Sequence, residues 1–138
     1  MSEPLRHEVR IEAPPEIVHR YFTDPERLVQ WWPSEAAIDA RPHGALRLRF
    51  VRSDGGVDVA RGEFVELSPQ RIVFTWGFDG DPDLPPGASR VEVTLEPDGA
   101  GTLVRLEHHG LPDTRRGQHD QGWAHFLGRL REVAGLRT

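Results

Sequence analysis

Apolar and polar residues alternate along much of this chain, and that alternation predicts strands. In residues 5–12, apolar side chains are separated by charged ones at period two, as in a strand with one buried face. Pro14 and Pro15 end this strand, and proline is tolerated in the first turn of a helix, where a backbone N–H has no helical acceptor. The pattern therefore predicts a strand followed directly by a helix.

Two short helices are predicted after this strand. The first is indicated by apolar residues at helical spacing, namely Ile17, Val18, Tyr21 and Phe22. The second begins at Asp24, a natural N-cap, with Pro25 at its first position. We expect it to run to the pair Trp31–Trp32, because Pro33 then interrupts the pattern.

Strands and turns alternate through the middle of the chain. Strands are predicted over residues 35–41, 45–51, 57–67, 71–76, 89–96 and 102–109. The Ser-Asp-Gly-Gly sequence at 53–56 is a strong hairpin signal, and residues 77–88, rich in Gly, Pro and Asp, are predicted to form a loop. Because the hairpins follow one another in series, the sheet is expected to be antiparallel.

The chain is predicted to close with one helix over about residues 118–134. An apolar stripe follows the i, i+3, i+4, i+7 rule, and His119 extends it by one turn; the stripe consists of Trp123, Phe126, Leu127, Leu130 and Val133 or Ala134. Gly135 is a suitable stop. We expect the stripe to face the concave side of the sheet.

Length, charge and composition narrow the possible classes of protein. A chain of 138 residues has the size of one domain, so we expect a single domain over 1–138. A net charge of −5 gives no reason to expect nucleic acid or an anionic membrane as a partner. The chain has no cysteine, no leader of signal-peptide type and no apolar run that could insert into a bilayer, so we expect a cytoplasmic location.

The sequence contains no strong motif for a metal site, a cofactor or catalysis. Residues 79–83 resemble the start of a calcium loop, but Leu84 stands where glycine is required and Arg90 where a bidentate acid is required. His108 and His109 point to opposite faces of a strand, so they cannot chelate one ion as a pair. We therefore expect no metal and no cofactor, and no pair of carboxylates is identified as catalytic.

Charged residues alternate with apolar ones on several strands, namely Arg47, Arg49, Glu92, Arg105 and Glu107. We interpret them as a solvated outer sheet face with cross-strand ion pairs. The alternative is that a bulge turns one of them inward, where it would anchor the polar end of a ligand.

Large aromatic residues are numerous for a short domain. Either they fill a core between the sheet and the last helix, or they line a hydrophobic cavity that a few polar groups make selective. The candidate cavity residues are Trp31, Trp32, Phe50, Phe74, Trp76, Val93, Leu106, His108, His119, Trp123, Phe126 and Leu127. His108, on the strand face of Val104 and Leu106, and His119 are the polar candidates, and each is equally compatible with a satisfied buried histidine.

Several short motifs together resemble one known superfamily. They are APPE at 13–16, FTDPE at 22–26, WW at 31–32, GEFVELSP at 62–69, RIVFTW at 71–76, and His119 with Gly122 and Trp123. This combination resembles the SRPBCC superfamily, which includes START-like lipid-transfer domains and the birch-pollen-allergen fold. The closer match is the branch named for activators of the ninety-kilodalton heat-shock chaperone's ATPase. One departure is His43-Gly44, where that family often has two glycines.

The resemblance implies an α+β helix-grip fold. About seven curved antiparallel strands would wrap around a long C-terminal helix, with two short helices after the first strand and a cavity between sheet and helix. Those short helices would form the gate of the cavity.

Three functions are compatible with this fold, because it hosts carriers, enzymes and co-chaperones. The first is binding of a small hydrophobic or amphipathic molecule, such as a lipid, in the cavity. The second is a chaperone-interacting module of a stress response. The third is a cyclase, dehydratase or hydrolase that uses the cavity histidines. A monomer or a homodimer is expected.

Overall fold

The computed structural model describes residues 3–135, so the first two and last three residues of the expected 1–138 domain lie outside the described part. The elements follow the predicted order of one strand, two short helices, six strands and a long helix. They are β1 (Leu5–Ile11), α1 (Pro15–Thr23), α2 (Pro25–Leu28), β2 (Glu35–Ile38), β3 (Ala45–Val51), β4 (Val57–Ser68), β5 (Arg71–Phe78), β6 (Ser89–Asp98), β7 (Gly101–His109) and α3 (Asp113–Gly135).

The seven strands form one antiparallel sheet in the order β1-β7-β6-β5-β4-β3-β2. The return of β1 to pair with β7 is the one pairing in the sheet that joins strands distant in sequence. A bulge between Phe64 and Glu66 breaks the register of β4 with β5, and bulges bend the strand that carries them. The long helix α3 packs against this sheet, which confirms the predicted α+β helix-grip fold.

Two predicted boundaries are wrong. Helix α2 ends at Leu28 rather than at the tryptophan pair, because Gln30 and Trp31 make i→i−3 bonds to Arg27 and Leu28 that close a turn. The strand predicted over 35–41 ends at Ile38, since Arg41 turns back onto Asp39. These segments are turns at the edge of the sheet.

Two other elements are longer than predicted. Strand β5 continues through Gly77 and Phe78, which pair with Arg61 and Ala60 and so shorten the predicted 77–88 loop. Helix α3 begins at Asp113, five residues before the predicted start, in a polar segment that carries no apolar period. In both cases pairing or packing extends an element beyond its sequence signal.

The turn before β3 explains the departure at His43. His43 has a φ of 70°, in the left-handed region that glycine adopts at no steric cost. A Cβ on Gly44 would lie 1.9 Å from the backbone oxygen of Asp39, so no side chain fits there. The turn therefore needs glycine at Gly44, whereas His43 tolerates a conformation that favours glycine.

The core lies between α3, the short helices and the concave face of the sheet. Its largest fully buried side chains include Trp31, Tyr21, Phe64, Phe74 and Leu130. The outer face carries cross-strand ion pairs as predicted, among them Arg49–Glu35 and Arg105–Glu8. No helix within residues 3–135 combines the length and the apolar character needed to cross a bilayer.

Candidate functional site

An open cleft of about 620 Å³ lies between the N-terminal half of α3, the adjoining ends of β3, β4 and β5, and the loop that follows β5. This volume is within the usual range for small-molecule sites. The cleft is lined by Trp32, Phe50, Arg52, Asp58, Trp76, Phe78, Asp79, Gly80, Asp81, Pro82, Arg115, Gln118, His119, Gly122, Trp123 and Phe126. It thus combines aromatic walls with a charged mouth.

The predicted cavity residues divide into two sets of equal size. Trp32, Phe50, Trp76, His119, Trp123 and Phe126 line the cleft. The other six, Trp31, Phe74, Val93, Leu106, His108 and Leu127, are buried in the core behind it. The mouth of the cleft is formed by the loop at 79–82, whereas no residue of α1 or α2 lines it, so the gate differs from the one expected.

Trp32 organises the aromatic cluster. Its ring stacks on Trp76 at 5.2 Å between centroids and 14° between planes, and it stacks on Trp31 at 5.4 Å. The ring of Trp123 lies 5.1 Å away, tilted by 41°. Trp31 donates its indole N–H to the backbone oxygen of Tyr21 at 2.9 Å, which fixes the inner member of the pair. Of two adjacent tryptophans, one is therefore a core residue and the other reaches the cleft.

Exposure separates the floor of the cleft from its walls. Trp32, Trp76 and Trp123 are 8%, 3% and 4% exposed, so little of each indole reaches the solvent. The half-buried rings of Phe50, Phe78 and Phe126 stand around them. The floor is thus a tightly packed layer of indoles, and the phenylalanines supply the accessible apolar surface.

His108 is fully buried beneath this floor, and its hydrogen bonds fix its protonation. Trp123 Nε1–H donates to His108 Nδ1 at 3.0 Å, so Nδ1 carries no proton. The proton is then on Nε2, which lies 2.9 Å from Ser89 Oγ, and Ser89 in turn donates to the backbone oxygen of Trp76 at 2.9 Å. Burial, with the nearby rings of His119 and His109, lowers the pKa of His108 to about 3.

His119, on α3, is hydrogen-bonded through both ring nitrogens in the same way as His108. Trp76 Nε1–H donates to His119 Nε2 at 3.1 Å, and His119 Nδ1–H donates to the backbone oxygen of Arg115 at 2.9 Å. Burial also lowers the pKa of His119. The two imidazole rings are perpendicular, with centroids 5.3 Å apart.

Both histidines are therefore neutral, and both nitrogens of each ring are occupied. A general base needs a free lone pair within reach of a substrate proton. Neither His108 nor His119 has one in this arrangement. The histidines hold the indole rings of Trp123 and Trp76 in place, which is a structural role at the base of the cleft.

The loop over the cleft is held by arginines from two sides. Arg115 of α3 binds both oxygens of Asp81, at 2.7 and 2.9 Å, and Arg61 of β4 binds both oxygens of Asp79 at 2.8 Å. The hydrogen bond from Arg115 is the main reason why the pKa of Asp81 is lowered. Leu84, which follows, is fully buried and anchors the loop in the core.

Sequence reasoning missed the polar half of the site. The sequence predicts residues 79–83 as part of a loop without a binding role, and Arg52, Asp58 and Arg115 are not among the predicted site residues. The dense Asp, Gly and Pro content of this loop was the one available signal, because it marks an exposed turn with acidic side chains. Gly122 appeared only in a motif, and nothing in its spacing predicts that it lines a cleft.

A group of potential metal ligands lies on the outer sheet face. Glu92, Glu107 and His109 place one ligand atom each within 4.8 Å of the others. His109 Nε2 is 3.1 Å from Glu107 and 3.8 Å from Glu92. Three arginines, Arg6, Arg71 and Arg90, already bind these carboxylates. Their positive charge opposes a cation, so this group is best described as an ion-pair network.

A second cavity of about 750 Å³ lies at the other end of the molecule. It is lined by α1 and by the turn between β4 and β5, including Glu16, His19, Arg20 and Pro69. His19 Nε2 lies 3.0 Å from the backbone oxygen of Ser68 and so bridges the two elements. None of its lining residues is Phe, Tyr or Trp.

Solved structures share this fold over nearly the full chain. The crystal structure of protein CV1439 from Chromobacterium violaceum has a TM-score of 0.85 and 30% identity, over 98% of this chain and 99% of that one. An AHSA1-like protein from Rhizobium etli is 41% identical with a TM-score of 0.71, over 96% of this chain and 81% of that one.

A third structure is the Aha1 dimer from Colwellia psychrerythraea, with a TM-score of 0.79 over 97% of each chain. At 20% identity, it supports the fold alone. No protein with a curated function matches the chain.

The sequence profile of one family matches residues 12–135, which is nearly the whole chain. That family is described as activator of Hsp90 ATPase homolog 1-like protein. Its members have the SRPBCC fold, and the cleft described above is consistent with a ligand-binding cavity of that fold. This chain therefore belongs to the AHSA1 family of the SRPBCC superfamily.

Proposed function

We propose that this protein binds a small, predominantly apolar molecule in the cleft between the sheet and the N-terminal half of α3. The observation that carries the proposal is an open volume of about 620 Å³ walled by six aromatic side chains. Aromatic walls with a few polar groups at one end are typical of small-molecule sites. A ligand that covers Phe50, Phe78 and Phe126 would remove apolar surface from water.

The side chains at the base of the cleft are already hydrogen-bonded, so they need not rearrange when a ligand binds. The indole N–H groups of Trp76 and Trp123 are both satisfied by histidines. None of the buried side-chain polar atoms in residues 3–135 lacks a partner. A ligand would therefore meet a preorganised apolar floor, and preorganisation lowers the ordering cost of binding.

Gly122 provides a test of this proposal that does not disturb the core. A Cβ at Gly122 would meet no atom within 4 Å, although the residue lines the cleft. We expect Gly122→Leu to fold, because leucine favours helix over glycine by roughly 1 kcal/mol and has open space. Its side chain would occupy the cleft and abolish binding of a neutral apolar probe such as N-phenyl-1-naphthylamine, measured by fluorescence titration.

Gly128→Leu is the matched control. Gly128 lies on the same helix, also has nothing within 4 Å of a built Cβ, and does not line the cleft. It should bind the probe as the parent protein does, with one site per chain. Equal binding by the parent and Gly122→Leu would place the probe elsewhere and overturn the proposal, as would a parent protein that binds no probe.

A second candidate function is interaction with a chaperone, which the description of the family favours. The large hydrophobic side chains exposed within residues 3–135 are four valines, of which Val51 and Val57 are cross-strand partners beside the cleft. The ATPase rate of a ninety-kilodalton heat-shock chaperone, with and without this protein, tests the candidate directly. An unchanged rate at saturating protein would exclude it. Native mass spectrometry of the same sample would distinguish a monomer from a homodimer.

A further inference from the structure

The mouth of the aromatic cleft carries more negative than positive charge. Three of its lining residues are aspartates, and the arginines that pair with them bring two further aspartates to the rim. We define the acidic mouth as Asp54, Asp58, Asp79, Asp81 and Asp83 with Arg52, Arg61 and Arg115. Five negative and three positive charges give a net charge of −2 at this end of the cleft.

Each arginine of the acidic mouth already faces carboxylates. Arg52 pairs with Asp54 at 3.3 Å and with Asp58 at 2.5 Å. Arg115 binds Asp81 with two nitrogens and lies 3.7 Å from Asp83. An anionic ligand would have to displace these aspartates in order to reach a guanidinium. His119 offers it no help, since its ring is neutral and fully hydrogen-bonded.

The aspartates, by contrast, keep unused acceptor capacity. Asp58 uses one carboxylate oxygen for Arg52, and its other oxygen has no partner among residues 3–135. Asp83 uses one oxygen for Thr114, with Arg115 nearby, and leaves the second without a partner in the same part of the chain. A carboxylate can accept several hydrogen bonds, so these groups could receive donors from a ligand.

The aromatic walls favour the same sign of charge. The face of an aromatic ring is the negative pole of its quadrupole and attracts an organic cation, most strongly where water is excluded. Phe50, Phe78 and Phe126 stand half-buried around a floor of three indoles. A phenyl face that a bound ligand covers and the carboxylates of the acidic mouth would therefore attract the same, positive, sign of charge.

We propose that the cleft selects an amphipathic organic cation, whose apolar body lies against the aromatic walls and whose ammonium-type group lies at the acidic mouth. This inference rests on the function proposed above, since it names the charge class of the ligand for the same cleft. It excludes fatty acids and anionic lipids as preferred ligands.

Three naphthalene derivatives with one variable substituent test the charge class. They are protonated naphthalen-2-ylmethanamine as cation, naphthalen-2-ylmethanol as neutral compound and 2-naphthoate as anion, each titrated by calorimetry at low salt. We expect the cation to bind about tenfold more tightly than the anion, with the neutral compound between them. The ratio should shrink in 0.5 M NaCl, because salt screens exposed charges.

The aspartate requirement is tested with Asp58→Asn, which removes one negative charge at nearly constant shape. Asp39→Asn is the control, because Asp39 is also paired with an arginine, Arg41, but lies at the opposite end of β3 and outside the cleft. We expect Asp58→Asn to reduce the ratio of cation to anion affinity severalfold, whereas Asp39→Asn leaves it unchanged.

Each result has a distinct meaning. Binding of all three compounds with equal affinity would overturn the charge inference and leave the proposed function standing. Tighter binding of the anion would overturn the inference in the same way. If none of the three compounds binds although N-phenyl-1-naphthylamine does, the charge inference fails and the proposed function stands; if none of the four binds, both fail. Equal effects of Asp58→Asn and Asp39→Asn would show that the acidic mouth is not the cause of a preference for the cation.

Discussion

The two halves of α3 meet the rest of the molecule in different ways. One flank of the helix follows β1 along much of its length, from the contact between Asp120 and His7 to Gly135 beside Glu12. In the C-terminal half, the other flank is covered, because Arg129 binds the backbone oxygens of Gln30 and Trp31. In the N-terminal half, that flank faces the open cleft.

This difference shows how one helix can serve both a core and a site. Where the segment after α2 lies against α3, Leu130 and Ala134 have no exposed surface. Beyond that segment, nothing of similar bulk among residues 3–135 covers the helix. There α3 carries Gly122, and even three indoles and three phenyl rings leave the space unfilled. The cleft thus results from the placement of the short helices as much as from the helix-grip architecture.

The largest effect is expected from Leu130→Ala in the covered half. Leu130 is 0% exposed, and removing such a side chain leaves a cavity that costs about 2–5 kcal/mol of the free energy of unfolding. Urea denaturation measures the loss. Arg131→Ala, on the exposed side of the same helix, is the control and should change little. An unchanged midpoint for Leu130→Ala would contradict the packing of this half.

A smaller effect, specific to the cleft half, is expected from pH. His108 is neutral in the folded protein, where its pKa is about 3, whereas its pKa in the unfolded chain is about 6.5. The unfolded state therefore binds more protons below pH 6.5, and stability falls with falling pH. Protonation linked to His108 alone should lower the free energy of unfolding by about 2 kcal/mol between pH 6.5 and pH 5. The lowered pKa of His119 adds to this loss in the same direction.

Histidine variants assign this pH dependence. His108→Gln removes the titrating group and should flatten the slope of unfolding free energy against pH, even if its stability at pH 7 is lower. His125→Gln, at an exposed position on α3, should keep the slope of the parent protein. An unchanged slope in His108→Gln would show that the buried ring does not titrate as the hydrogen bonds indicate, because His119 alone should leave only part of it.

The smallest effect, and of opposite sign, is expected from glycine replacements in α3. Gly122→Ala and Gly128→Ala should each raise the unfolding free energy by up to about 1 kcal/mol, because alanine favours helix and both sites have open space. Thermal unfolding compares them. A loss of stability at Gly122 alone would show that the cleft is closed in solution and would remove the contrast between the two halves.

The backbone of this fold was largely predictable from local signals. The alternation in residues 45–51 predicted β3 with its observed limits, and the Asp24-Pro25 pair predicted the start of α2. Failures occurred where distant contacts decide. The start of α3 carries no apolar period, and β5 continues through Gly77 only because β4 pairs with it.

The candidate site was less predictable, since half of it depends on charges brought together from distant segments. Asp81 and Arg115 are 34 residues apart and meet only in the folded chain. Likewise, both histidines were identified as polar candidates, but their protonation depends on which indole N–H each one receives. A sequence contains the residue types, whereas hydrogen-bond partners across strands and helices follow from register and helix placement.

The sequence by itself determined the order of elements, the antiparallel sheet, the apolar stripe of α3 and the family. These follow from period, turn residues and motifs, which are local. Only the tertiary structure decided that Trp31 is a core residue while its neighbour Trp32 lines a cleft, and that Gly122 leaves this cleft open. The physical reason is that a cavity is a mismatch between surfaces from distant parts of the chain, and no local pattern specifies such a mismatch.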